Sequence, residues 1–231
     1  MSAESTLAYY RTITREYIRR FGHTGYPEIL IYSVSFREYA ELQHAGRWGE
    51  LAARMAQVFQ ALARAGADFG LIAANTLHLV FPQVAAQSPI PLLSIVDATA
   101  RAIGEAGLTT VGLLGTRFTM EKGFFRHGLA RHGIGVLVPG PEDREEIHRI
   151  IYQELVRGEV REDSRRRALG VIEGLARRGA QGVVLGCTEL PLLVRAQDTP
   201  LPLFDTARIH ALAALEEALA DRPGGGEVGH P

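Results

Sequence analysis

Short apolar runs alternate along the chain with longer stretches in which apolar residues recur at helical spacing. Residues three and four apart are neighbours on a helix, so such a stretch forms one apolar face. The clearest example contains Leu51, Met55, Val58, Phe59 and Leu62. The apolar runs are continuous, a pattern typical of strands covered on both faces. They predict strands at residues 28–34, 69–74, 109–115, 134–140, 182–187 and 201–205. Strands separated by helices predict an α/β fold with mainly parallel sheets flanked by helices.

The chain also contains an internal repeat. Residues 62–76 align without a gap with residues 175–189, at the offset of 113 that separates positions 74 and 187. Both segments contain a helix end, a Gly-Ala turn, an apolar run and an exit of small residues. Residues 89–97 resemble residues 200–205, and each of these segments ends in an aspartate suited to cap the next helix.

The repeat predicts two pseudo-symmetric lobes that face one another, with the active site in the cleft between them. Strand ends would open into that cleft, where sheets of this kind bind ligands. We assign residues 1–97 and 206–221 to the first lobe and residues 98–205 to the second. Residues 222–231 are rich in Gly and Pro and have little to bury, so they predict a disordered tail.

The two halves differ at their start. In the second half, the predicted strand at 109–115 precedes residues 120–126, which contain an aromatic pair followed by an arginine. Residues 5–11 match residues 120–126. No matching strand precedes residues 5–11, so the first lobe is expected to lack its opening strand. Either the natural start lies upstream of residue 1, which we expect, or the lobe tolerates a gap beside buried strands, which exposes backbone groups.

Composition narrows the class of protein. The chain has 231 residues, with 25 Lys and Arg against 26 Asp and Glu, which gives no reason to expect a nucleic-acid partner. One cysteine suits a reducing compartment, and no signal sequence or membrane-spanning apolar run is present. These features predict a soluble, cytoplasmic protein without membrane association. The histidines lack metal-ligand spacing, so no metal site is predicted.

Cys187 is the one thiol, and it follows the predicted strand at 182–187. Backbone amides at the start of a following helix would stabilise its reactive thiolate. The alternative is a buried, inert cysteine that acts as a small apolar residue.

The matching exit in the first half carries Asn75 and Thr76, and Thr116 and Thr119 follow the strand at 109–115. Neutral donors at such turns can hold a carboxylate. Local capping of the next helix is the alternative for each of these residues, and the two roles are compatible.

Four segments in this order, "AANTLH" (73–78), "LLGTRFTM" (113–120), "GCTELPLL" (186–193) and "FDTARIHA" (204–211), resemble the aspartate/glutamate racemase family. The likeness runs over residues 1–220 and is greatest to bacterial racemases with broad specificity for aspartate and glutamate. It implies stereoinversion without pyridoxal phosphate or another cofactor, in which two acid/base groups flank the α-carbon of the substrate. Relatives are commonly dimers, so a homodimer is an expectation.

Transferred by motif, the resemblance implies that Cys187 is the catalytic acid/base of the second lobe. It also implies a set of residues that hold the carboxylates and ammonium of a small amino-acid substrate: Asn75, Thr76, Thr116, Thr119, Thr188 and Glu189.

Ala74 departs from the family pattern, because it occupies the position of the first-lobe acid/base and cannot exchange a proton. Three hypotheses follow. The chain is a racemase whose activity is impaired or lost, or a single-cysteine enzyme like the related arylmalonate decarboxylases, or a non-catalytic binder of an acidic amino acid.

Overall fold

The computed structural model describes residues 3–220. The first half of the chain forms α1 (Ala3–Phe21), α2 (Phe36–His44), α3 (Trp48–Arg64), β1 (Gly70–Leu71), α4 (Phe81–Ala85), β2 (Leu92–Leu93) and α5 (Ile95–Glu105). A 3₁₀ segment, Thr76–Val80, leads into α4. The predicted tail at 222–231 lies outside the described residues. Within residues 3–220, none of the helices combines the length and apolar character needed to cross a lipid bilayer.

The second half begins with β3 (Thr110–Gly115). It continues with α6 (Arg117–Glu121), α7 (Phe124–Ala130), β4 (Gly135–Leu137), α8 (Pro141–Gln153), α9 (Glu162–Arg177), β5 (Val183–Gly186), α10 (Leu190–Leu193), β6 (Leu203–Asp205) and α11 (Thr206–Ala220). Short 3₁₀ segments lie at Leu155–Arg157 and Ala196–Asp198.

The second half contains a four-stranded parallel sheet in the order β4-β3-β5-β6. Successive side chains of a strand point to opposite faces. Accordingly, Val111 and Leu113 pack with α5 and α7 on one face, while Leu114 packs with α8 and α9 on the other. Both faces are buried, which explains the continuous apolar runs. The predicted parallel sheet flanked by helices is confirmed here.

The strand predictions are less accurate in the first half. Residues 69–74 contribute only the two residues of β1, which pairs in parallel with β2, a strand that the apolar pattern did not single out. The predicted strand at 28–34 is wrong, because these residues form no strand. A cavity separates them from β1. Within residues 3–220 they therefore have no neighbouring strand to pair with, and a strand requires one.

The repeat is present in the order of the elements. Helix α3 matches α9, β1 matches β5, β2 matches β6, and α5 matches α11. The two closing helices cross between the halves: α5 packs against the four-stranded sheet, and α11 packs against α1 in the first half. This exchange joins two similar α/β units, as the repeat predicts, while the assigned lobe boundaries stay a prediction.

Only one of the two aspartates expected to cap a helix does so. Asp205 accepts a hydrogen bond from the backbone N–H of Arg208 at 3.1 Å, which caps α11. Asp97 instead lies inside the first turn of α5, and the hydroxyl of Ser94 accepts the N–H of Asp97 at 3.2 Å. The helix starts earlier than expected because Ser94 is itself a good cap.

Candidate active site

Cys187 lies directly after β5 and is 7% exposed. Its Sγ donates a hydrogen bond to Oε2 of Glu189 at 3.0 Å. The hydroxyl of Thr188 donates to the same oxygen at 2.6 Å. One buried carboxylate oxygen therefore holds both the thiol and its neighbouring hydroxyl, and this fixes the direction of the sulfur.

These surroundings keep Cys187 protonated. Burial, then the charge of Glu189 and its hydrogen bond to the thiol, raise the pKa of Cys187 well above its usual value. The backbone N–H groups of Glu189 and Leu190 lower it by less. The backbone amides thus favour the thiolate, as expected, but burial and the charge of Glu189 outweigh them, so the thiol stays protonated.

Glycines at the ends of β3 and β5 let the second half close tightly around this exit. Gly115 pairs with Gly186. A Cβ built on Gly115 would lie 2.9 Å from the carbonyl oxygen of Gly186, and one built on Gly186 would lie 3.0 Å from a methyl of Thr119. Only glycine fits at both positions without a shift of the strands, and this packing brings Thr119 beside the residue that precedes Cys187.

Three threonine hydroxyls form a chain that crosses between the halves. The hydroxyl of Thr76 lies 3.2 Å from that of Thr116, which in turn lies 3.2 Å from that of Thr119. Thr116 also accepts the N–H of Thr119 and caps α6. Capping thus accounts for Thr116, while its contact with Thr76 brings together predicted site residues from both repeats.

Asn75 is anchored to the second half through Thr206. The Thr206 hydroxyl donates to the carbonyl of Leu185 at 2.9 Å, so its lone pair accepts the amide Nδ2 of Asn75 at 3.0 Å. This fixes the amide and leaves Oδ1 of Asn75 buried without a hydrogen-bond partner among residues 3–220. Such an orphaned acceptor is costly unless a ligand satisfies it.

This bridge also relates the two exits of the repeat. Asn75 follows Ala74, and Leu185 lies two residues before Cys187. Sequence reasoning missed Thr206, although it lies within one of the recognised motifs. A threonine that directly follows a strand and opens a helix gave a local signal, but its distant partners gave none.

Ala74 presents a methyl group where the second half has a thiol. It is half-buried and packs against the first-half core. The carbonyl of Ala74 accepts a hydrogen bond from Nδ1 of His78 at 2.8 Å, because the N–H of Ile95 donates to Nε2 of the same ring at 3.0 Å. No side chain at position 74 can exchange a proton.

His78 and a second buried histidine, His210, support this exit as neutral rings. Burial and then the proximity of His210 lower the pKa of His78 to about 3. Burial lowers the pKa of His210 to about 4. Its Nε2 donates to the carbonyl of Leu93, so Nδ1 accepts the hydroxyl of Tyr9. Both histidines are held by fixed partners, which agrees with a packing role for His78.

Aromatic side chains join the two halves near Cys187. Phe118 contacts His44 and Trp48, with ring centroids 6.1 and 5.7 Å apart. Tyr152 contacts His44 and packs against the core that contains Cys187. Sequence reasoning missed this cluster, because its members lie on separate helices and only Phe118 belongs to a recognised motif. In the part of the chain that the structure describes, no three His, Cys, Asp or Glu side chains are grouped to hold a metal ion.

Comparison with known proteins places these features in a family. A family model described as Asp/Glu/Hydantoin racemase matches residues 1–214. A crystal structure of a candidate Asp/Glu racemase from Yersinia pestis is 44% identical with a TM-score of 0.89, over 94% of this chain and 95% of that one. The structure of an aspartate racemase homologue from Pyrococcus horikoshii OT3 is 38% identical with a TM-score of 0.83, over 94% and 95%.

Among curated proteins, a glutamate racemase from Syntrophus aciditrophicus (strain SB) is 29% identical over 178 residues. The match spans 69% of this chain and 60% of that protein. The family model covers nearly the whole chain, and both solved relatives have the fold of this chain over almost all of their length. The chain therefore belongs to the Asp/Glu/Hydantoin racemase family.

Proposed function

We propose that the chain is an amino-acid racemase of the aspartate/glutamate type that handles protons on one face of the substrate only. It acts without pyridoxal phosphate, by removal and return of the proton at the α-carbon. The observation that carries the proposal is the buried Cys187 thiol, which is hydrogen-bonded to Glu189, while the corresponding position in the first half is Ala74. The names of the relatives support the substrate class.

The neutral donors account for substrate binding. The hydroxyls of Thr76, Thr116 and Thr119 lie in one chain and would bind the carboxylates of an acidic amino acid. The orphaned Oδ1 of Asn75 is a suitable acceptor for the ammonium group. Each of these groups is positioned in advance by the fold, which lowers the cost of ordering the substrate.

Cys187 would serve as both base and acid on its face of the α-carbon. For proton removal, the thiol proton passes to the carboxylate of Glu189, and the resulting thiolate accepts the α-proton from the substrate. For proton return, the S–H bond breaks as the α-C–H bond forms, and Glu189 returns its proton to the sulfur. The Glu189 oxygen lies 3.0 Å from the sulfur, which is close enough for direct proton transfer between the two side chains.

Thr188 and Glu189 therefore receive a role different from the one that the resemblance implied. Their hydrogen bonds run to one another and to the thiol. We assign them to holding and protonating the sulfur, and leave the substrate contacts to the residues of the other strand exits.

The opposite face of the α-carbon meets the methyl group of Ala74. Proton exchange at the Cys187 face should then proceed, while inversion, which needs a donor on the other face, should be slow. A single protonated thiol also favours a second candidate function, the arylmalonate type of decarboxylation. There loss of CO₂ forms the carbanion, and Cys187 alone protonates it.

Three assays separate the functions. Each enantiomer of aspartate and glutamate is incubated with the protein in D₂O, and deuterium at the α-carbon is measured by ¹H NMR. Phenylmalonate is tested for CO₂ release, and both ligand classes are tested for thermal stabilisation. Exchange that disappears in Cys187→Ala supports the proposal. Exchange that is absent in both proteins, together with CO₂ release that depends on Cys187, establishes the decarboxylase instead.

Stabilisation by an acidic amino acid without exchange or CO₂ release would contradict both reactions and identify a binding protein. The Cys187→Ala variant removes one sulfur atom at a small buried site, so its circular dichroism and Tm serve as the folding control.

A further inference from the structure

A cavity of about 540 Å³ lies in the first half, and Cys187 is not among the residues that line it. Residues 27–34 form one wall and residues 65–73, which include β1, form the other. Apolar side chains of α3, among them Phe59 and Leu62, line one side, and Tyr9 and Ile13 of α1 line the other. The cavity thus has the layout of a sheet interior, with an extended segment at each edge and a helix on each face.

The second half shows what occupies the equivalent place. There β3 lies between β4 and β5 and pairs with both in parallel. In the repeat, β5 corresponds to β1, and β4 corresponds to residues 28–34. Within residues 3–220, β1 pairs only with β2, and its other edge faces the cavity. The cavity therefore lies where the second half has its central strand.

The walls are suited to a peptide backbone. Leu30, Ile31 and Tyr32 are 49%, 52% and 54% exposed, although they form a continuous apolar run. A free strand edge beside exposed apolar side chains is a favourable template for another extended segment. Backbone pairing would provide affinity, and the alternating side chains would provide selectivity.

The repeat also specifies the side chains of the occupant. Gly112 of β3 pairs with Val183, and a Cβ at Gly112 would lie 2.9 Å from a methyl of Leu175. Leu175 corresponds to Leu62, which lines the cavity, and Val183 corresponds to Gly70. The occupant should therefore carry glycine opposite Gly70 and small or branched apolar residues on either side.

We propose that this groove is a strand-binding site. It takes an extended apolar peptide segment with the chemistry of residues 109–115, which runs parallel to β1 between that strand and residues 28–34. The segment completes a four-stranded sheet ordered like that of the second half. Its carboxyl end reaches the edge of the sheet beside Ala74, as the end of β3 reaches Cys187.

The test uses the full chain and a synthetic peptide with the sequence of residues 109–116. A control peptide carries proline in place of the residues equivalent to Gly112 and Leu114, because proline cannot donate to a strand ladder. Hydrogen exchange with mass spectrometry measures amide protection. The first peptide, and not the control, should slow exchange at 28–34 and 69–73 by about tenfold or more and raise Tm.

Two variants test the location. Ile31→Asp lies in the groove and should abolish the protection. Val160→Asp replaces a similarly exposed apolar residue in the second half and should leave it unchanged. Both are surface substitutions, and circular dichroism confirms their fold.

A fusion protein that carries the same peptide sequence at its N-terminus tests the groove even if the free peptide binds weakly. Tethering raises the effective concentration to about millimolar. Absence of protection at both segments in the fusion, or equal protection by the proline fusion, would overturn the proposal. Protection that arises without peptide, in parallel with a shift to dimer in light scattering, would overturn it too, because a second copy then covers the groove. These readouts do not depend on racemase activity.

Discussion

The segments that follow β1 and β5 occupy corresponding places in the repeat, but their side chains differ in chemistry. After β5, the Cys187 thiol donates a hydrogen bond to the buried carboxylate of Glu189. After β1, Ala74 offers a methyl group, and the nearest titratable ring, His78, is neutral and bonded at both nitrogens. In the proposed mechanism, the residues that bind the substrate and the group that transfers protons are therefore separable. The first exit retains Asn75 and Thr76, held by bridges to the second half, without a group that transfers protons.

Restoring the missing group should have the largest effect. Ala74→Cys and Ala74→Thr should raise the rate of inversion of aspartate or glutamate by about 10²-fold, because one positioned acid/base contributes that much or more. Ala74→Val is the matched control, since it has the shape of threonine without the hydroxyl. Chiral chromatography of the product measures inversion. Equal rates in the Thr and Val variants, with no gain in the Cys variant, would argue against opposed acid/base positions.

Removing the proton acceptor beside the thiol should have the next largest effect. Glu189→Gln should lower the exchange rate about tenfold or more, because the thiol loses its acceptor. The charge and hydrogen bond of Glu189 also raise the pKa of Cys187, so the alkaline limb of the pH–rate profile should move to lower pH. Glu173→Gln, an exposed change on α9, is the control. An unshifted profile would show that Glu189 does not set the protonation of the sulfur.

Thr206→Val should act on substrate binding. The change leaves the amide of Asn75 and the carbonyl of Leu185 without their partner, and a buried unsatisfied group costs about 1–3 kcal/mol. KM for the amino acid should rise about tenfold with a smaller change in kcat. Thr206→Ser keeps the hydroxyl and should restore KM. A fall in kcat at unchanged KM would contradict the binding role of Asn75.

The smallest expected effect is on how the free energy of unfolding depends on pH. His78 and His210 have pKa values of about 3 and about 4 in the folded protein, below the value of about 6.5 in an unfolded chain. The unfolded state therefore binds more protons at acid pH. Stability should be level above about pH 6.5 and fall below it, by up to about 1.4 kcal/mol per pH unit for each histidine.

Urea unfolding between pH 7 and pH 5 measures this slope. His210→Gln should reduce it, while His127→Gln, at an exposed position, should not. A slope that is unchanged in His210→Gln would show that this ring is not buried in its neutral form.

The sequence predicts the second half well and the first half less well, for a physical reason. Apolar runs at 109–115 and 182–187 become central strands because neighbours on both edges pair with them. The run at 28–34 is also largely apolar, but its pairing depends on which segment lies beside it, and the local sequence does not determine that. The motifs pointed to Cys187, Asn75 and Thr116, whereas Thr206 and Tyr152 were missed because their contacts are with residues far away in sequence.

The proposal that Cys187 handles protons on one face of the substrate only is tested most simply in the unmodified protein, by comparing exchange of the α-proton with inversion of the α-carbon. L- and D-aspartate are incubated separately in D₂O, and α-deuterium and enantiomer composition are followed in the same samples. We expect one enantiomer to gain deuterium about 10²-fold faster than it inverts, and we expect Ala74→Cys to bring the two rates together. Inversion that keeps pace with exchange in the protein that carries Ala74 would contradict the proposal.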